Sequence, residues 1–401
     1  MLIFLPFKTG KIYTKEELLN YANSPKNISS FTGYSVKSEA FSDPEFLPFF
    51  GSSEMEHVDS FHPGAYFRKY HAGFTPYFVG QPGTTSLTHY FYLNSVSNEL
   101  KNRKIVFIIS PQWFIRSGIS DGRFQTFVSK GEIYRWMLQA NPNDITTVQL
   151  AEHIQEFKSM DSEKVILSGL KDLSEKKSIG SWKRFLMTMS LNLWNNEDIL
   201  FSKISQITES GTNLTNSFNN FSKMLPKKAV QSQLDELANQ QGKKSSSNNP
   251  FQINNNVWNS KLKHKYKSYK NSERKVSYIN SPEYADFQQV LNLFAKNKND
   301  VLFIIQPVNG AWSNYVGISE KTMQDFSNKI QYQLSSQGFN NIEDLTSMYK
   351  TRYASGDTIH FGTRGWLEAD QAIEKFVKQT NALDYKINNH KFLSQKWNMS
   401  N

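Results

Sequence analysis

Four apolar runs punctuate the chain, each closed by residues that favour turns. Phe46-Leu-Pro-Phe-Phe50 runs into Gly51-Ser-Ser-Glu54, and Ala72 to Val79 ends in Gly80-Gln-Pro-Gly-Thr-Thr85. Lys104-Ile-Val-Phe-Ile-Ile109 ends in Ser110-Pro-Gln-Trp113, and Val301-Leu-Phe-Ile-Ile305 ends in Gln306-Pro-Val-Asn309. Runs of this length without polar alternation suit parallel strands buried on both faces. Helical spacing lies between and after them, at Ser86–Leu100, Pro282–Lys296, Glu320–Leu334 and Gly365–Gln379. The second of these carries Tyr284, Phe287, Val290, Leu291 and Phe294 on one stripe, with Pro282 suited to its first turn. Strands alternating with helices predict a doubly wound α/β sheet.

Residues 110–300 hold little strand pattern. Ile145–Met160 and Trp182–Trp194 read as helices, and Asn239–Pro250 reads as a low-complexity exposed loop. The expectation is a mainly helical insertion at about 120–280, with no internal repeat. At the start, Met1-Leu-Ile-Phe-Leu-Pro-Phe7 is apolar and stops at Lys8. It is too short for a signal peptide or for the roughly 20 apolar residues that span a bilayer. From these residues it is a buried strand or the stub of an anchor.

Composition narrows the chemistry. The chain has 401 residues and no cysteine, which excludes disulfide frameworks, thiol catalysis and thiolate metal sites. Its formal charge is +10, which fits an anionic polymer, an anionic membrane surface, nucleic acid, or simple solubility. No recognisable nucleic-acid-binding motif accompanies the charge, and nucleic acid is not an expected partner.

In a doubly wound sheet, reactive groups gather at the C-terminal ends of the strands. Ser52 or Ser53, after the first run, sits where a helix opening would offer N–H groups and a favourable dipole to an oxyanion. Either serine could instead cap that helix, with Glu54 in its first turn. Gly356-Asp357-Thr358-Ile359-His360 offers a base, His360, and a carboxylate, Asp357, to orient it. Gly80, Gln81 and Gln112 are candidate oxyanion donors, although Gly80 and Gln81 also suit a plain turn. The order along the chain gives these signals weight: Ser, then Gly, then an amide, then Asp-x-x-His. His57, His62 and His71 lack the spacing of a common metal motif, and His89, His153, His264 and His390 have no evident constellation. No metal or cofactor is expected.

That order resembles the SGNH (GDSL-like) hydrolases, and the local sequences resemble the DltD family. The matching stretches are Phe50-Gly-Ser-Ser-Glu54, Pro63-Gly64, Val79-Gly-Gln-Pro-Gly83 and Ile109-Ser-Pro-Gln-Trp-Phe114. Further on are Trp258 with Lys261-Leu-Lys263, Tyr284-Ala-Asp-Phe287, and Asp357 to Asp370 with Gly365-Trp366. The resemblance implies an SGNH-like fold and a single-pass, outward-facing membrane protein that helps esterify lipoteichoic acid with D-alanine. It implies Ser53 as nucleophile, with Asp357 and His360 as its partners. Trp113, Lys261 and Lys263 are taken as substrate-binding. The implied partners are lipoteichoic acid, the membrane O-acyltransferase DltB, the small peptide DltX and the carrier DltC. Residues 1–30 then read as an anchor remnant with its lead-in, and 31–401 as the catalytic domain interrupted by the insertion.

Two positions depart from the family pattern. Ser52 stands where an Asp is usual, which leaves Ser52 and Ser53 both open. Gln112 stands where many relatives have Asn, which leaves the oxyanion hole open. Transfer to a hydroxyl and hydrolysis as a thioesterase or esterase need the same residues. A non-catalytic scaffold that binds the polymer and the acyltransferase is the rival. Lys261, Lys263, Lys265, Lys267, Lys270, Arg274 and Lys275, interleaved with Tyr266 and Tyr269, form one candidate basic patch or a solvated helix face.

Overall fold

The computed structural model describes residues 11–25, 33–208 and 214–399. Five parallel strands form one sheet: β1 (Phe46–Phe50), β2 (Thr75–Val79), β3 (Lys104–Ile109), β4 (Asp300–Ile305) and β5 (Ile342–Asp344), in the order β2-β1-β3-β4-β5. The four runs predicted from sequence are β1 to β4. β5 has no apolar run because it is a three-residue strand at the sheet edge, paired only with β4. Pro48 sits in an inner strand, where its missing N–H ought to break a ladder. Pairing of β1 with β3 begins only at Phe49↔Val106, so Pro48 lies just before that ladder.

Side chains alternate across the sheet and build two cores. On one face, Phe46, Phe50, Ile105, Phe107, Ile109, Phe303 and Ile305 join the cluster that includes helices Ser86–Ser95, Glu283–Lys296 and Glu320–Ser335. On the other, Leu47, Phe49, Val106, Ile108 and Ile304 join Pro63–Lys69, Thr215–Ser222, Gln231–Ser245 and Thr363–Lys378. Helices on both faces of a parallel sheet are the doubly wound α/β arrangement expected. The chain leaves β1 to one side for β2 and returns on the other side to β3. That reversal opens a crevice beyond the C-terminal end of β1.

Among the described residues between β3 and β4 there is no strand, and the helical insertion is integral to both cores. Lys130–Gln139 packs on Ser86–Ser95, while Phe218, Leu225, Leu234 and Ala238 are buried on the opposite face. The expected loop over 239–250 is helical as far as Ser245. Leu234, Ala238 and Gly242, spaced by four, make one buried stripe on the helix, which packs along Thr363–Lys378. Gln, Asn and Ser on its outer face hid that stripe in the sequence.

At the start of the chain, Lys15–Ala22 is a helix with a Thr14/Glu17 capping box, and it packs on β2 with Leu18 and Ala22 buried. Met1–Phe7 lies outside the described residues. Among those described, no helix is long and apolar enough to cross a membrane.

One buried group opposes the fold. Asp370 is 0% exposed, and among the described residues neither carboxyl oxygen has a hydrogen-bond partner. Burial, and then the charges of Asp59 and Glu374, hold its pKa well above the usual carboxylate value. The unfolded chain ionises near that usual value while the folded chain resists, so stability is intact at low pH and erodes as pH rises. Asp370→Asn cannot ionise. Its stability relative to wild type should therefore be greater at about pH 8 than at about pH 5, read by thermal melts. A gap that is constant, or that shrinks with rising pH, would remove the buried-acid account.

Candidate active site

The end of β1 is held by its backbone. Gly51 N–H donates to the Val79 carbonyl at 3.1 Å, which ties the ends of β1 and β2 together. The Gly51 carbonyl accepts from His89 Nε2 at 2.7 Å and from Thr84 Oγ1 at 2.9 Å. Because the acceptor is a carbonyl, His89 carries its proton on Nε2. Burial pushes the His89 pKa down to about 4 against that hydrogen bond, so the ring stays neutral. It is fully buried among Phe50, Phe107 and Trp113. No motif in the sequence signals this role, because the contact is between a side chain and a distant carbonyl.

Beyond Gly51 the chain makes a single 3-10 turn, Ser53–Glu56, rather than the helix expected there. No helix dipole of consequence therefore points at the serines. The two serines separate cleanly. Ser52 gives its N–H to Glu54 Oε1 at 2.6 Å and its hydroxyl to Glu54 Oε2 at 2.7 Å. Burial raises the Glu54 pKa, opposed by the Ser52 hydrogen bonds and the nearby His360 charge. Ser53 Oγ instead lies 2.6 Å from His360 Nε2.

His360 comes from a tight loop closed by the Ser355↔Phe361 bridge, by Gly356 N–H to the His360 carbonyl at 2.9 Å, and by Ser355 Oγ to the same carbonyl at 2.7 Å. Inside that loop Asp357 Oδ2 meets His360 Nδ1 at 2.7 Å, while Asp357 Oδ1 accepts the N–H groups of Ile359 and His360 at 2.9 and 2.8 Å. Burial pushes Asp357 upward. The His360 hydrogen bond and charge, with the two N–H groups, outweigh it and hold the carboxyl below the usual carboxylate range. Ser53, His360 and Asp357 thus form one continuous hydrogen-bonded chain. In that geometry a base can take the serine proton while a fixed anion steadies the resulting imidazolium.

Other predicted residues fall in different places. Gly80 lies against the turn: a Cβ there would sit 2.4 Å from the Gly51 carbonyl oxygen and 3.0 Å from Ser52 N. Its N–H donates to the Pro25 carbonyl at 3.3 Å, so it is already engaged. Gln81 Nε2 is buried without a partner among the described residues, and Ser53 N–H carries no hydrogen bond there either. Gln112 is exposed in the turn Pro111–Trp113. Trp113, expected to touch substrate, is 5% exposed and packs on His89 and Phe107, because the turn after β3 folds its ring back into the core. Lys263 is exposed at the end of the Trp258–Leu262 turn, while Lys261 is close enough for its charge to act on His57. The basic run of 261–275 is made of short turns rather than one helix face.

A cleft of about 600 Å³ opens beside His360. His57, Asp357 and His360 line it together with Phe221, Met224, Gln241 and Lys244 from the insertion. His57 also stacks on His360, with centroids 3.8 Å apart and planes 18° from parallel. His57, Asp357 and His360 offer ligand atoms within 4.8 Å of one another. Both His360 nitrogens are already hydrogen-bonded, so a metal here would have to displace Ser53 or Asp357.

Gly80→Ala would force the β1–β2 ends apart, since its methyl meets backbone. It should destabilise the protein by roughly 1–3 kcal/mol and slow any reaction at Ser53. Thermal melts and the labelling rate of Ser53 by a serine-directed fluorophosphonate measure the two effects. Wild-type values for both would show that the close approach is relaxed in solution.

Comparison with known proteins agrees over most of the chain. The family described as DltD protein matches residues 24–378. Protein DltD of Lacticaseibacillus rhamnosus is 34% identical, across 99% of this chain and 92% of that protein. Protein DltD of Bacillus subtilis (strain 168) is 32% identical, across 88% and 87% respectively. Protein DltD of Staphylococcus aureus (strain NCTC 8325 / PS 47) is 26% identical, across 90% of each. With the family matched over nearly its whole length, the chain belongs to the DltD family.

Proposed function

We propose that the chain acts in D-alanylation of teichoic acid, and that it does so by serine-dependent acyl transfer to hydroxyls of lipoteichoic acid outside the membrane. The observation that carries the mechanism is the hydrogen-bonded chain from Ser53 Oγ through His360 to Asp357, the last two of which line a cleft. Ser53 Oγ attacks the carbonyl of a D-alanyl ester or thioester as His360 Nε2 takes its proton. The bond to the leaving group breaks, and that group departs with the proton from His360. A glycerol hydroxyl then attacks the D-alanyl-Ser53 ester, gives its proton to His360, and releases Ser53, which recovers a proton. Ser53 N–H, which carries no hydrogen bond among the described residues, is the proposed donor to the oxyanion of each tetrahedral intermediate, and the unpaired, buried Gln81 Nε2 is a second candidate.

The rim of the cleft suits a polyanionic acceptor. Lys244 lines it and Lys261 stands beside His57, and neither has a carboxylate partner among the described residues. Such uncompensated charge raises the local concentration of a phosphate polymer. DltB, DltX and DltC remain the proposed partners that deliver the D-alanyl group.

Ester-linked D-alanine on lipoteichoic acid tests this reading, in cells lacking the native gene and carrying matched levels of each variant. Ser53→Ala should reduce the ester to the level of the deletion, while Ser52→Ala should retain most of it. Wild-type ester with Ser53→Ala would reject the serine mechanism in favour of a scaffold that holds polymer near the acyltransferase.

A further inference from the structure

His57 is the group in the cleft that the proposed reaction leaves unused. Its ring lies flat on that of His360, at a spacing of 3.8 Å and a tilt of 18°. The rest of its edge is exposed to the cleft. A ring held face to face limits rotation of the His360 imidazole, and so keeps Nε2 on Ser53 and Nδ1 on Asp357. We propose that His57 is a positioning residue for His360, which steadies the ring and supports the imidazolium formed when His360 takes the Ser53 proton. The inference rests on the serine reading.

Its electrostatics are consistent. The π face of a neutral ring attracts a cation, whereas a second cation at this spacing would repel it. Partial desolvation of a ring that keeps an open edge, and then the charges of His360 and Lys261, lower the His57 pKa from its ordinary value against the pull of Asp357. The charged groups around it come from every side: His360 and Asp357 from the loop, Lys261 from the Trp258–Leu262 turn, and Lys244 across the cleft. Glu56 and Asp59 come from its own segment. Burial drives Asp59 up to about 7, so it is a weak counter-charge. Buried His62 is pushed down to about 3, chiefly by burial, and stays neutral. A lowered value leaves His57 uncharged at neutral pH, where the labelling is compared.

The test is the pH dependence of Ser53 labelling by a fluorophosphonate, a reaction in which Ser53 Oγ displaces fluoride and needs no natural substrate. It uses the full chain with intact folding checked by melts. His57→Ala should label about tenfold more slowly at neutral pH, and His57→Phe, which restores a flat ring, should recover most of that loss. His57→Lys should lower the plateau, since a fixed cation disfavours the imidazolium. It should also move the acid limb to lower pH, because the same charge makes His360 harder to protonate. His57→Ala and His57→Lys profiles that both overlay wild type would overturn the inference and leave the serine reading standing. Wild type that labels no faster than Ser53→Ala would remove the serine reading, and this inference with it.

Discussion

The carbonyl of Gly51 is the point on which the site depends. A strand that ends inside a protein leaves a polar backbone group with no ladder to join, and burying it unpaired costs about 1–3 kcal/mol. Here His89 and Thr84 both donate to it, and the absent side chain of Gly80 lets the end of β2 press against it. Once that carbonyl is fixed, the next three residues have little freedom. Glu54 folds back on Ser52, and Ser53 is turned toward His360.

The other half of the site is assembled independently. The Asp357–His360 loop is closed largely by its own backbone bonds, which hold the acid and base in register with each other. What joins the halves is the sheet: parallel strands put the C-terminal ends of β1 and β5 on one rim, and the loop after β5 reaches back across it. The insertion completes the arrangement. Asn254 N–H holds the Gly356 carbonyl at 2.8 Å, and Gln241 and Lys244 help to line the cleft. A segment that interrupts the α/β pattern in sequence thus becomes part of the site in space.

Electrostatically the site is built around neutral histidines and one committed anion. Burial keeps His62 and His89 uncharged, and partial desolvation with neighbouring charge lowers the His57 pKa. Asp357 alone is pulled firmly toward its ionised form. His360 lies between them, with the anion on one side and the His57 ring on its face. Lys244 lines the cleft and Lys261 acts by its charge on His57.

By itself the sequence determined the strands, because a buried parallel strand must be a continuous apolar run, and Phe46–Phe50, Lys104–Ile109 and Val301–Ile305 are such runs. It also determined the order of Ser, Gly and Asp-x-x-His, and with the wider motifs it pointed to the family. It missed β5, whose three residues at the edge carry no apolar signature, and the helical stretch to Ser245, whose buried stripe of Leu234, Ala238 and Gly242 is set in a polar background. The choice between Ser52 and Ser53 belonged to tertiary structure, since it turns on which hydroxyl Glu54 occupies and which is left facing His360. So did the roles of His89 and His57, and the burial of Trp113. Those contacts join residues far apart in the chain, and periodicity records only which face of an element is buried, not what it meets there.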